Sequence, residues 1–160
     1  MHHEDTVKMF SAVFSYAKIL ADDIGKDKAL EVMNKWLQGM AYGGLGRIKR
    51  RLGITPKTLR DLYACVDAFD EEIGIWHEIE EETPDYIEHR VLNCMMPEAC
   101  ENTGWDCKEI CDSVVHNLTD KVASFLNPNL KWEIAEFNPN IKVGCKYRIS
   151  YRNKSKNSES

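Results

Sequence analysis

The hydrophobic periodicity of this chain changes once, near Ile73, and that change limits its fold more than any other feature. Ahead of it, apolar residues recur every three or four positions; beyond it, they alternate. Phe10, Val13, Phe14, Ala17, Leu20 and Ile24 sit at helical intervals, and Gly25 follows where a helix stops. A second helix from about Lys26 carries Leu30, Met33, Trp36, Leu37 and Met40 on one face. Each interior glycine costs a helix about 1 kcal/mol relative to alanine, so a break or kink is expected over Tyr42 to Gly46. A third helix, Thr55 to Asp70, turns Leu59, Leu62, Tyr63, Val66 and Phe69 inward and ends in an acidic run.

From Ile73 the pattern is that of strands. Ile75, His77 and Ile79 alternate with Trp76, Glu78 and Glu80, and after a turn Ile87, His89 and Val91 alternate with Glu88 and Arg90. A hairpin of this length brings His77 roughly opposite His89 on the inward face, where each can be an acid, a base, a ligand or a hydrogen-bonded core residue. Cys94 to Gly104 reads as a loop. Trp105 to Leu126 reads as one helix, with Cys107, Cys111, Val114, Leu118, Val122 and Phe125 on a stripe, and Asp112, His116 and Asp120 on its polar neighbour. Two strands close the pattern: Leu130, Trp132 and Ile134, then Ile141 through Tyr151 with Cys145 on the apolar face. The fold class is α+β, an N-terminal layer of three helices followed by ββαββ with an antiparallel sheet. One domain is expected over residues 1–152, with a disordered polar tail at 153–160.

Charge narrows the partners. With 21 basic against 26 acidic residues, the chain lacks the overall positive charge of a general polyanion binder. Residues 47–63 do combine Arg47, Lys49, Arg50 and Arg51 with a Gly53 turn and a following helix, as a DNA-binding helix-turn-helix would. The acidic residues Asp67, Asp70, Glu71 and Glu72 beside it would repel phosphate, which leaves nucleic acid as the disfavoured partner. No apolar run approaches the ~18 residues that span a bilayer, and the first residues lack the apolar core of a secretory signal. A cytoplasmic protein with no membrane association is expected. The amphipathic first helix offers a face for homodimerisation, although no residue marks the contact.

Five of the six cysteines, Cys94, Cys100, Cys107, Cys111 and Cys145, fall in one half of the chain. Their spacing matches no standard zinc or iron–sulfur motif. The topology nevertheless brings a strand end, a helix face and an inward strand position toward one end of the sheet. Plain core residues, a thiolate-bound metal and a reactive thiol all remain open.

The order of Cys94 after a strand, a helix carrying Cys or His, Asn127-Pro128-Asn129-Leu130, and Gly144-Cys145-Lys146-Tyr147-Arg148 in the last strand resembles the 2-amino-thiazoline-4-carboxylate hydrolase-like family. It is similar, more distantly, to the vinyl-reductase-type ligand-binding domains. The resemblance covers about the last 65 residues. It implies helices on an antiparallel sheet, with a small-molecule pocket between them and hydrolysis of a C–N bond in a cyclic amidine. It further implies a centre at Cys94, the Cys111/His116 region and Cys145. There zinc or iron would activate water, or Cys94 would act as nucleophile beside an imidazole such as His89 or His116. His77, Trp105 and Cys107 are the expected ligand contacts. A sensor that binds a ligand or metal without turnover is the alternative.

Overall fold

A computed structural model of the chain describes residues 2–152, so the tail expected at 153–160 lies outside the described residues. Three helices come first: α1 (His3–Ile24), α2 (Lys26–Leu52) and α3 (Leu59–Glu72). Strands β1 (Trp76–Glu82) and β2 (Tyr86–Leu92) follow. Then come α4 (Met96–Thr103), α5 (Cys107–Ile110), a π-helical turn over Cys111–Val115, and α6 (His116–Leu126). Strands β3 (Leu130–Glu136) and β4 (Cys145–Tyr151) are the last elements among the described residues. The four strands form one antiparallel sheet in the order β1-β2-β4-β3. Helices α3 and α6 pack on it, giving the α+β arrangement that the change of period implies. None of the described helices is long and apolar enough to cross a membrane.

Gly25, at φ 89°, separates α1 from α2 and lets the chain double back between them. Helix α1 buries Val7, Phe10, Phe14 and Ala17, while Tyr16 and Ile19 stay exposed. Helix α2 buries Leu30, Met33, Leu37, Ala41, Leu45 and Ile48, a stripe that runs unbroken past the three glycines. The break expected at Tyr42 to Gly46 is therefore corrected to a continuous helix. Gly44 serves contact instead: a Cβ there would overlap the Phe69 ring of α3.

The helix-turn-helix segment folds differently from its sequence reading. Helix α2 continues through Lys49 to Arg51 and is closed by Gly53 in the left-handed region, φ 66°. Helix α3 starts at Leu59 rather than Thr55, because Thr58 and Asp61 form a capping box and place Pro56 ahead of the helix. Arg47 and Arg51 each bond to Glu72 at 2.6 Å, so the acidic end of α3 engages two of the basic residues.

Met96–Thr103 is helix, not loop. Pro97 occupies the first turn, where its missing N–H costs nothing, and Gly104 at φ 69° ends the helix. Strand β4 begins at Cys145, not Ile141. The Asn140 carbonyl accepts from Val143 and Gly144 at 3.0 and 2.7 Å, and this turn withdraws Ile141 to Gly144 from the sheet. The hairpin register pairs His77 with Val91 and Ile79 with His89, so the two histidines are diagonal rather than opposite. Their rings still stack, 4.9 Å between centroids. On the outer face Glu80 pairs with Arg90 and Lys146, and Glu88 with Lys146 and Arg148, a charge ladder that suits water.

Candidate functional site

A cavity of about 120 Å³ lies between the helices and the sheet. Its wall is apolar except for four thiols, those of Cys94, Cys107, Cys111 and Cys145, and a few polar groups that include Asp70, Thr119 and Tyr147. Asp70 is the one charged side chain in the lining; among the described residues that line it there is no Lys, Arg or His.

Each thiol is brought there by local structure. Cys94 follows Asn93, which adopts φ 56° and whose side-chain amide donates to Gly74 O at 2.8 Å, turning the chain out of β2 toward the cavity. Cys145 opens β4 opposite Val91, and its sulfur accepts from the Asn138 N–H at 3.3 Å. Gly144, at φ 73°, permits the approach, since a Cβ would run into the Val91 carbonyl. Asp106 caps α5 by accepting from Glu109 N at 2.7 Å, which starts the helical run at Cys107. Cys111 begins the π-helical turn, a feature often found at functional sites.

Cys100, 1% exposed, completes the group from α4. Interaction with the neighbouring thiols of Cys100 and Cys111 holds Cys107 well below the usual thiol range, and the same interaction, with burial, raises Cys100 and Cys111. Cys94 differs, because burial pushes it up to about 12. Of the two, Cys107 is the more readily ionised thiol. Burial, together with the nearby Cys94, Cys145, Cys111 and Asp70, raises the Tyr147 phenol well above its ordinary value and keeps it protonated.

Behind this wall lies a cluster of rings. His77 Nε2 bonds to Asp70 Oδ2 at 2.8 Å, and His89 stacks between His77 and the Tyr147 ring, which is 5.9 Å away. His89 is 0% exposed and neither ring nitrogen has a protein partner. Burial, with a smaller contribution from His77, lowers it to about 3, so it stays neutral. Neither histidine lines the cavity, and His77 reaches it only through Asp70.

The expected site residues thus divide. Cys94, Cys107, Cys111 and Cys145 come together at the cavity. His116 is exposed on α6, away from the lining. Trp105 packs at the α4–α5 corner, where its Nε1 donates to Phe14 O at 2.9 Å. Among the described residues no group of three or more His, Cys, Asp or Glu side chains is disposed to hold a metal ion. Of the expected set, Cys94, Cys111 and Cys145 share the cavity wall and His116 lies apart from them.

Asp70, Cys100, Trp132 and Tyr147 were not singled out by spacing. A signal for Asp70 exists all the same: Leu62, Val66 and Asp70 follow one another by fours on the buried stripe of α3. Compared with known proteins, the chain matches no family model and no curated protein.

Proposed function

We propose that the chain is a small-molecule-binding domain that takes a compact, mainly apolar ligand, neutral or positively charged, between its helices and its sheet. The lining carries this reading. A volume near 120 Å³ compares with the engineered apolar cavity of about 150 Å³ that accepts benzene, so the ligand is about one ring in size. A carboxylate on that ligand would meet no cation, and an unpaired buried charge costs several kcal/mol. An amidinium or ammonium would meet Asp70 instead. The resemblance to the 2-amino-thiazoline-4-carboxylate hydrolases supports the ring, while the lining, which offers no cation, argues against the carboxylate.

Cys107 favours a second reading on the same site, hydrolysis of a C–N bond. Its sulfur, lowered below the usual thiol range by its neighbouring thiols, would attack the amidine carbon; the C–N bond would break and the amine leave with a proton, and water would then cleave the C–S bond to release the product and restore the thiol. Cys94, protonated at neutral pH, does not serve in that role.

One panel tests both readings. The protein is heated with thiazoline, 2-amino-2-thiazoline and 2-amino-thiazoline-4-carboxylate, and each mixture is assayed for released amine. At ten times Kd a ligand stabilises by about 1.4 kcal/mol, which for a chain of this size raises Tm by roughly 4 °C. The two uncharged or cationic rings are expected to give that shift, and the carboxylate none. A preference for the carboxylate, or no shift from any ring, refutes the binding reading. Amine release that survives Cys107→Ser refutes the hydrolytic one.

A further inference from the structure

We propose that the outer face of α1 and α2 docks a second copy of the chain, with the two α1 helices antiparallel about a twofold axis beside Tyr16. The inward sides of these helices give Phe10, Phe14, Met33 and Leu37 to the core, while their outward sides leave Tyr16 and Ile19 62% exposed and Val32 and Trp36 44% exposed. A groove of about 350 Å³ runs between the two helices, lined by Ala12, Tyr16, Leu20, Val32 and Trp36 among others and by no charged side chain. Single exposed apolar residues are ordinary, whereas a continuous face of this kind marks where another surface sits. The groove shares no lining residue with the cavity beside the sheet, so the proposal does not depend on the ligand taken there.

The face is large enough for a dimer. From Asp5 to Asp23 α1 rises about 27 Å, and two helices side by side are about 20 Å across. A copy laid on it would cover about 550 Å² of each partner in outline, which reaches the ~1,000 Å² total of a specific interface.

Charge and side-chain size select the occupant. In an antiparallel pair of α1 helices centred between Ser15 and Tyr16, Lys8 stands level with the partner's Asp23 and Ala12 with the partner's Ile19. Opposite charges then meet at both ends, and a small side chain faces a large one on either side of the axis. Lys8 and Asp23 are exposed, and among the described residues neither has a partner within its own chain. Asp23 sits near the negative end of α1, whose last turn holds no basic residue, so a lysine from outside supplies what the helix lacks. Sliding the pair by about a turn one way sets Asp5 against Asp23, and the other way sets Asp23 on Ala12. Asp22 and Asp23 also close one end of the face against an anionic lipid surface.

The test uses the full chain. Sedimentation equilibrium over about 1 to 100 µM is expected to give a species of about 37 kDa, twice the 18.4 kDa chain. A zero-length carbodiimide cross-linker, applied to an equal mixture of unlabelled and 15N-labelled chains, is expected to join Lys8 to Asp23 in peptides that carry both labels. On a single α1 these residues lie about 22 Å apart, too far to be joined within one chain. Lys8→Glu and Asp23→Lys are each expected to weaken the dimer about tenfold or more, and the double variant, with the pair reversed, to return to within about threefold of the unaltered chain. A monomer throughout the range, whether or not it binds phosphatidylglycerol vesicles, overturns the proposal. So does a dimer without the Lys8–Asp23 link, one indifferent to both single substitutions, or one that the double variant fails to restore. The cross-link is read on the unaltered protein, so a variant that failed to fold would not obscure it.

Discussion

His89 shows what a single side chain can reveal about this core. It is enclosed by the rings of Tyr63, His77, Trp132 and Tyr147, and its folded pKa of about 3 lies far below the ~6.5 of an unfolded histidine. Between those values the unfolded chain binds a proton that the folded chain does not. The stability linked to His89 is therefore complete above about pH 6.5 and is lost as pH falls toward 3. At pH 5 the loss amounts to about 2 kcal/mol relative to pH 8. Urea unfolding at the two pH values should show His89→Phe losing less stability than the unaltered chain by about that amount; equal losses would mean that the imidazole is not held neutral. Asp70 teaches a complementary lesson. Its place in the run Asp67 to Glu72 disguises it as part of a solvated helix end, although at 8% exposure it joins His77 to the cavity. His116 errs in the opposite direction, because a histidine between Asp112 and Asp120 belongs to a polar stripe that faces water.

Among the elements, α2 and α3 show where a sequence pattern is ambiguous. Gly43 and Gly44 look alike as letters, yet only Gly44 faces another helix. Gly44→Ala should force Phe69 aside and cost about 2 kcal/mol, while Gly43→Ala, with nothing within 4 Å of the new Cβ, should gain up to about 1 kcal/mol from helix propensity. Thermal melts of the two variants check this as Tm shifts of opposite sign; a matching loss in both would mean that α2 is interrupted after all. Helices α1 to α3, the hairpin and β3 were legible because one-sided burial imposes a period on the side chains. Helix α4 was not. Its Pro97 and Gly104 serve equally as loop residues and as helix ends, and only packing of Met96, Ala99 and Cys100 decides between them. The gathering of four thiols was legible in outline from topology; the burial of Cys100 was not, since it depends on α4, which the sequence presents as a loop.

The two layers share one continuous core, in which Phe14, Leu37 and Leu45 from the helices join Ile87, Trp132 and Ile149 from the sheet. Cooperative loss of the whole fold is the expected outcome of urea unfolding. A chain with Trp36, Trp76 and Trp105 replaced by Phe would report the sheet through Trp132 fluorescence, and far-UV circular dichroism would report the helices. The two curves should coincide; a helical transition displaced from the Trp132 transition would divide the chain into two folding units. The π-helical turn adds a constraint that no count of contacts expresses. Each residue advances a helix by about 100°, so deleting one residue from Cys111–Val115 would swing Cys107 about a quarter turn around the axis, away from the cavity, while leaving every remaining side chain chemically intact. The span from Asp106 to Leu126 is thus set in length as well as in composition, and it behaves as a phase adaptor between the corner that holds one thiol and the helix that closes the core.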